Sequence, residues 1–204
     1  MPQQESENAG IRLVVGLGNP GRRYERTRHN VGFAAVDALA ARWATGEGRN
    51  AFGGRLFDAR VVLGGSQRRV MLFQPHTFMN LSGSAVGQLV GFYKADRQDL
   101  LVVLDDMALA LGQLRFRSGG SSGGHKGLAD VLAALGSEEV PRLRIGIGSP
   151  PPGCDASDFV LRTFDADEQA TADEAVARAA QAVEDWVVHG LTYVMDKYNK
   201  RMES

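Results

Sequence analysis

Residues 11–21 read IRLVVGLGNPG, an apolar run that ends in a glycine-rich turn. A short apolar run closed by turn residues is typical of a buried β-strand, and it predicts a strand over residues 11–17. Apolar residues then recur at helical spacing over residues 31–43, which predicts a helix. A strand, a turn and a helix in this order are typical of the start of an α/β fold.

The same alternation continues to the end of the chain. Further strands are predicted over residues 57–63, 69–73, 100–104, 113–117 and 143–147, and further helices over residues 81–93, 127–135 and 167–198. We therefore predict an α/β class with one domain, in which a mixed, mostly parallel twisted sheet is covered by helices on both faces. Asn80 or Ser82 is predicted to cap the helix at 81–93. The domain is predicted to span residues 11–200, after a disordered leader at 1–10 and before a tail at 201–204.

Charge and cysteine content limit the partners and the compartment. The formal net charge is -1, so a nucleic-acid site would have to be a local basic patch. Cys154 is the only cysteine, which excludes an intrachain disulfide and favours a reducing compartment. Residues 1–10 lack the apolar core of a signal peptide, and no apolar run is long enough to cross a bilayer. These features predict a cytoplasmic protein.

The turn at residues 16–21, GLGNPG, fits the G-x-G-x-x-G pattern of dinucleotide-binding proteins. Residues 22–29, however, are mostly charged and lack the small apolar residues that pack such a helix onto its sheet. Pro20 also favours an extended or turn geometry at Asn19. The pattern therefore favours a strand-ending turn, and a functional alternative is that this turn aims the Asn19 amide into a cleft.

A second glycine motif, GSSGG at residues 120–124, fits the G-x-S-x-G nucleophile elbow of serine hydrolases. An elbow needs a strand directly before it and a helix directly after it, and residues 125–127 delay the predicted helix. The motif favours a flexible loop over a ligand, while an esterase that uses Ser122 stays as an alternative.

Candidate catalytic groups come from the histidines and aspartates. None of the four histidines lies four residues from another, and the single cysteine cannot form a C-x-x-C site, so no metal is predicted. His29 lies in a polar segment just before the helix at 31–43, and histidine is the usual general base at neutral pH. Asp105 follows an apolar strand, where ligands gather in open α/β sheets, and an aspartate there can orient a histidine. A solvated turn is the structural alternative for Asp105.

Longer motifs resemble the bacterial peptidyl-tRNA hydrolase family. VGLGNPG at 15–21, then Tyr24, then TRHNVG at 27–32 are similar to the opening signature of that family. TFMNLSG at 77–83 resembles its second signature. Asp105, GGH at 123–125 and RLRIGIG at 142–148 match the rest in order and spacing, so the resemblance covers residues 11–200. Long ordered motifs are far more specific than either glycine pattern.

The resemblance implies a monomeric enzyme that hydrolyses the ester between a peptide and the 3′-terminal ribose of tRNA, without metal, cofactor or obligate protein partner. It implies that His29 is the catalytic base and that Asp105 orients it. The substrate-binding positions that it implies are Asn19, Tyr24, Met79, Asn80, His125 and Lys126. Arg117 and Arg144 match basic positions that bind tRNA phosphate.

One position departs from the family pattern, because Lys126 stands where the family usually has asparagine. A lysine ammonium only donates hydrogen bonds, whereas an asparagine amide donates and accepts. Two other functions remain open from the sequence. One is an RNA-binding protein that kept the fold, against which the retention of His29, Asp105 and the two asparagines argues. The other is the serine esterase that uses Ser122.

Overall fold

The strand predicted from the opening stretch lies at the centre of a seven-stranded sheet. The structure is a computed structural model that describes residues 10–44 and 46–200. The predicted tail, and the predicted leader apart from Gly10, lie outside the described residues. The strands are β1 (Arg12–Gly16), β2 (Arg49–Ala51), β3 (Gly54–Leu63), β4 (Ser66–Pro75), β5 (Leu100–Asp106), β6 (Leu114–Arg117) and β7 (Arg142–Gly146).

Four of the five helices in the described residues lie where the apolar periodicity predicts them, and the short helix at Ala156–Val160 is additional. They are α1 (Val31–Trp43), α2 (Ser82–Tyr93), α3 (Lys126–Leu135), α4 (Ala156–Val160) and α5 (Gln169–Tyr198). Short 3-10 turns cover Arg22–Tyr24, Arg28–Asn30, Met79–Leu81 and Arg97–Asp99. The long helix α5 is interrupted at Gly190, whose φ of 80° lies in the left-handed region that favours glycine. Within residues 10–44 and 46–200, no helix has both the length and the apolar character needed to cross a membrane.

The strand order is β2-β3-β4-β1-β5-β7-β6. Parallel pairing joins β4 to β1, β1 to β5, and β5 to β7, whereas β2–β3, β3–β4 and β6–β7 pair antiparallel. The predicted mixed sheet is confirmed, but its parallel part is confined to the four central strands. The edges are antiparallel because three short connections, namely the turns at residues 52–53 and 64–65 and the loop before β6, reverse the chain without a crossover helix.

Helices cover both faces of the sheet, as predicted. On one face α1 and α5 bury side chains that include Val36, Leu39 and Trp186. On the other face α2 and α3 bury side chains that include Val86, Leu89 and Val131. Strands that are buried on both faces read as continuous apolar runs, which is why residues 11–17 and 100–104 were recognisable from sequence.

Close approach between backbones fixes the start of α1 above the sheet. A Cβ atom on Gly32 would lie 2.5 Å from the carbonyl oxygens of both Leu17 and Val103, so only glycine fits there. A Cβ atom on Gly16 would in turn meet the carbonyl of Gly32. The glycine-rich turn after β1 therefore lets α1 start against β1 and β5, which places the residues just before α1 at the carboxyl ends of those strands.

Candidate active site

His29 and Asp105 meet at this edge of the sheet. His29 lies in the 3-10 turn before α1, and Asp105 lies near the end of β5 with a side chain that is 3% exposed. The Nδ1 atom of His29 lies 2.7 Å from Oδ1 of Asp105. An ionised carboxylate only accepts hydrogen bonds, so Nδ1 of His29 carries a proton and donates it to Asp105. Nε2 is then the ring nitrogen of His29 that is available as a base.

His125 binds the same carboxylate oxygen, a contact that sequence reasoning missed. Its Nε2 lies 3.0 Å from Oδ1 of Asp105, and its Nδ1 accepts a hydrogen bond of 3.1 Å from the backbone N–H of Leu128. Because Nδ1 is an acceptor, the proton of a neutral His125 lies on Nε2 and is donated to Asp105. His125 caps α3 through the same contact with Leu128. In the sequence, the motif GGH at residues 123–125 marks His125 as a site residue but does not predict its contact with Asp105.

Asp105 is held in its ionised form. Burial disfavours the charged carboxylate, but the interactions with His125 and then with His29 outweigh that effect and hold the pKa of Asp105 well below its ordinary value. Asp105 is therefore a fixed negative charge at neutral pH.

Asn30 locks the turn that carries Asn19. The side chain of Asn30 accepts from the backbone N–H of Asn19 at 2.8 Å and donates to the backbone carbonyl of Asn19 at 2.9 Å. Oδ1 of Asn19 in turn accepts from the backbone N–H of Met79 at 2.8 Å. The amide nitrogen of Asn19 has no acceptor among the described residues, so its N–H groups are available to a ligand. The glycine motif thus aims the Asn19 amide at the cleft, and no helix of the dinucleotide-binding kind follows it.

Met79 and Asn80 form the facing wall. Met79 is buried beneath Gly127, where an added Cβ would meet the Met79 sulfur. The Asn80 side chain is exposed and lines the cleft. The prediction that Asn80 or Ser82 caps α2 is wrong, because Leu81 occupies the N-cap position without a side-chain bond and the Ser82 hydroxyl donates to the Met79 carbonyl. A 3-10 turn before α2 shifts the cap by one residue and leaves Asn80 free for a ligand.

A single cleft of about 1160 Å³ contains these groups. It is lined by every candidate site residue that the sequence indicates, namely Asn19, Tyr24, His29, Met79, Asn80, Asp105, Arg117, His125, Lys126 and Arg144. The sequence-based roles of these residues stay predictions, whereas their convergence on one cleft is a property of the fold.

Four arginines share the face of β6 and β7 that borders the cleft. Arg115 pairs across the strands with Arg144, and Arg117 with Arg142. Residues two apart on a strand, and partners directly across an antiparallel pair, point to the same face. Their surroundings differ, however, because Arg142 is buried and donates to the carbonyls of residues 120, 121, 138 and 140. Arg142 therefore holds the glycine-serine loop in place.

The other cations of the cleft differ in exposure and in whether a carboxylate already pairs with them. Arg144 forms an ion pair with Asp106, while Arg117 is exposed and forms no ion pair with any carboxylate in the described part of the chain. Lys126 is exposed at the first turn of α3, close enough to Asp155 to help lower the pKa of that carboxyl, after the hydrogen bonds from Ser157. Arg117 is thus the cation of this group that is most available to a phosphate.

Ser122 lines the cleft but is not on a nucleophile elbow. Strand β6 ends at Arg117 and α3 begins at Lys126, so the motif sits in an extended loop instead of a tight turn between a strand and a helix. The backbone carbonyl of Ser122 accepts from the N–H of His125, and this contact helps to place His125.

A metal would compete with the hydrogen bonds of the site. Within residues 10–44 and 46–200, His29, Asp105 and His125 are the group whose ligand atoms lie close enough to hold a cation, within 4.8 Å of one another. Metal–ligand bonds of about 2.0–2.2 Å would require both imidazoles to give up the protons that they donate to Asp105. The donor set therefore fits a hydrogen-bonded triad better than a cation site.

The fold and the cleft define the class of protein: an α/β protein with a histidine that a buried aspartate orients, as in enzymes that use histidine as a general base. The family model for peptidyl-tRNA hydrolase matches residues 13–204. The peptidyl-tRNA hydrolase of Rhodopirellula baltica is 42% identical over 189 residues, 93% of this chain and 97% of the relative. That of Chloroflexus aggregans is 47% identical over 188 residues, 92% of this chain and 98% of the relative. The crystal structure of the Acinetobacter baumannii peptidyl-tRNA hydrolase superposes with a TM-score of 0.83 at 34% identity, covering 93% of this chain and 95% of that one. The chain belongs to the peptidyl-tRNA hydrolase family.

Proposed function

We propose that His29 is the base with which this protein hydrolyses the ester bond of peptidyl-tRNA. The observation that carries the proposal is the 2.7 Å contact between Nδ1 of His29 and Oδ1 of Asp105 inside the cleft. It fixes the tautomer of His29 so that Nε2 is free to accept a proton. The family of the chain supplies the substrate, and the position of this pair supports the role of His29.

The reaction follows from the placement of these groups. Nε2 of His29 takes a proton from water while the water oxygen attacks the ester carbonyl carbon, and Asp105 stabilises the imidazolium that forms. The carbonyl oxygen becomes negative, and the N–H groups of Asn19 or Asn80 donate to it. When the intermediate collapses, the ribose oxygen leaves and takes the proton back from His29. The products are a tRNA with a free ribose hydroxyl and a peptide carboxylic acid, which releases the remaining proton of the water to solvent and becomes a carboxylate.

We also propose that Arg117, Arg144 and Lys126 bind tRNA phosphate near the acceptor end, while Tyr24 and Met79 wall the space for the peptide. All five residues line the cleft that contains His29. Further parts of the proposal are that one domain over residues 11–200 acts as a monomer in the cytoplasm, without cofactor or obligate protein partner. The described sheet and both of its apolar cores belong to one continuous fold, which supports catalysis by a single chain.

Release of tRNA from peptidyl-tRNA tests the function directly. We expect the purified protein to cleave N-blocked aminoacyl-tRNA, and to retain that activity in EDTA and in the Ser122→Ala variant. The measurement is the amount of tRNA that can be recharged after incubation, with free aminoacyl-tRNA as a second substrate. Loss of activity in EDTA with recovery in zinc would contradict a mechanism in which His29 activates the water without a metal. Loss in the serine variant would support the esterase alternative, and binding without cleavage would support an RNA-binding protein.

Asn80→Ala is expected to lower kcat/KM by about 10²-fold, since a donor to the developing oxyanion contributes about 3 kcal/mol. The unfolding temperature should stay nearly unchanged, because Asn80 is exposed and does not cap α2. Steady-state kinetics and thermal unfolding of the same preparation measure both quantities. Ser84→Ala, an exposed change in the first turn of α2, is the matched control. A loss of stability with unchanged kcat/KM would contradict the substrate-binding role.

Arg117→Ala is expected to weaken tRNA binding and to reduce the slope of log affinity against log salt by about 0.7–0.9, the change for one phosphate that is no longer neutralised. Arg117 is exposed, so little stability should be lost. The measurement is the affinity for tRNA across a salt titration. Arg60→Ala is the control, because it removes the same charge from β3, five strands away from β6. Equal slopes in the two variants would mean that tRNA does not bind at the β6 edge.

A further inference from the structure

Arg28 is a buried cation directly before His29. Its side chain is 4% exposed, and its guanidinium lies 4.6 Å and 4.7 Å from the ring centroids of Phe159 and Phe164. Arginine stacks on aromatic faces through both its charge and its planar shape. The guanidinium is therefore held by aromatic rings from α4 and from the segment that follows α4.

The carboxylates of Glu168 and Asp165 pair with this cation, Glu168 through a hydrogen bond and Asp165 with its Oδ2 atom 3.8 Å from Nη2 of Arg28. Nη2 of Arg28 donates to Oε2 of Glu168 at 2.5 Å, and the same oxygen accepts from the backbone N–H of Asp165 at 2.9 Å. The hydrogen bond from Arg28 is the main reason that the pKa of Glu168 lies below its ordinary value. Nε and Nη1 of Arg28 are buried without an acceptor among the described residues. The guanidinium is thus fixed by stacking and by one charged hydrogen bond.

The backbone on either side is tied to the same segment. The N–H of Arg28 donates to the carbonyl of Arg162 at 2.9 Å, and Thr27 forms an antiparallel bridge with Thr163. Val160 and Leu161, at the end of α4, line the cleft that contains His29. Arg28 therefore lies between the turn that carries the proposed base and the α4 wall against which a substrate would lie.

We propose that Arg28 is a positioning residue that fixes His29 and the α4 wall of the cleft relative to each other. Stability alone does not explain an arginine here, because a buried ion pair is often no more stabilising than apolar side chains of similar size. The planar, charged guanidinium of Arg28 instead allows only one arrangement of the His29 turn relative to the α4 wall. Arg28 touches no reacting atom, so its effect reaches the chemistry through His29. This inference rests on His29 being the base.

The test compares Arg28→Lys and Glu168→Gln in two backgrounds. Arg28→Lys keeps the charge but loses the planar stacking, and Glu168→Gln keeps the arginine but loses the carboxylate that is hydrogen-bonded to it. We expect Arg28→Lys to lower kcat on peptidyl-tRNA about 10- to 100-fold, since misplacement of about 1 Å can cost about that much. In the His29→Ala background it should cause no further loss, because there is no base left to position. Arg162→Lys is the control, since that side chain is exposed and only its backbone contacts Arg28.

Each outcome decides the proposal. A kcat loss in the wild-type background that vanishes in the His29→Ala background, with an unchanged folded fraction, supports it. Unchanged kcat, an equal loss in both backgrounds, or a loss that matches the unfolded fraction overturns it. If Arg28→Lys does not fold, Glu168→Gln carries the same test, with a smaller kcat loss expected and the same dependence on His29. Full activity of His29→Ala alone would instead contradict the proposed base, which separates the two failures.

Discussion

His29→Ala is expected to lower kcat on peptidyl-tRNA by at least about 10²- to 10⁴-fold, the range that a general base contributes. Affinity for tRNA should stay within about a factor of two, because the interaction that is removed belongs to the chemical step. Single-turnover cleavage measures the first quantity, and binding of uncharged tRNA measures the second. Of the two imidazoles bonded to Asp105, only that of His29 combines a fixed Nδ1–H with a free Nε2, since both nitrogens of His125 are already bonded.

The matched control is His189→Ala, which removes an exposed imidazole that stacks on Tyr193 in α5. It should leave both quantities unchanged. Near-normal turnover in the His29 variant would remove His29 from the mechanism. A large loss of tRNA affinity would show instead that His29 binds substrate in the ground state.

The parts of the fold that local sequence controls were predicted well. The helix at residues 31–43 has the predicted bounds, because its apolar face repeats along one continuous segment. The strands at 57–63 and 69–73 are longer than predicted, since β3 and β4 run on to residues 54–63 and 66–75. The added residues include polar ones such as Ser66 and Gln67, which pair with Leu63 and Val62 of β3. Pairing between strands extends them beyond the apolar pattern.

Elements without a local signal were missed. Strand β2 consists of Arg49, Asn50 and Ala51, which form a strand only because they pair with β3. Helix α4 has five residues, too few for a helical period to be visible. The cap of α2 was misplaced for the same reason, because a one-turn 3-10 segment has no distinct pattern.

The active site was less predictable from the sequence than the fold, because its residues are far apart along the chain. Only the family motifs predicted that His29 and Asp105 belong to one site, since 76 residues separate them along the chain. The contact between His125 and Asp105 had no signal beyond the family motif, because it depends on a loop that Arg142 holds from another strand. The arginine alternation on β6 and β7 was predictable from spacing. That Arg142 is structural, and that Arg144 pairs with Asp106, depends on burial and on sheet order.

Asp105→Asn is expected to lower kcat by about 10²- to 10⁴-fold, comparable to the His29 variant. The amide keeps the size of the side chain but removes the charge that stabilises the imidazolium formed on His29. An amide NH₂ group that faces either imidazole also places a donor against a donor, and this favours the wrong tautomer of His29. Single-turnover cleavage by Asp105→Asn measures the effect. Asp96→Asn is the control, because that carboxylate is exposed and forms no side-chain cap bond. Turnover within a few-fold of the parent protein would show that orientation by Asp105 is not required.

The parent protein and Asp105→Asn also differ in how their free energy of unfolding depends on pH, and the direction of that difference can be predicted. Because the pKa of Asp105 lies well below its ordinary value, the folded state favours the ionised carboxylate. The stability that this contributes is fully present above the unfolded pKa of about 3.9 and is lost as pH falls further, towards the folded value. The free energy of unfolding of the parent protein should therefore exceed that of Asp105→Asn at about pH 5, and the difference should shrink as the pH falls below about 4. Denaturant unfolding of both proteins at each pH measures it. A difference that stays constant down to about pH 3 would mean that His29 and His125 do not hold Asp105 in its charged form.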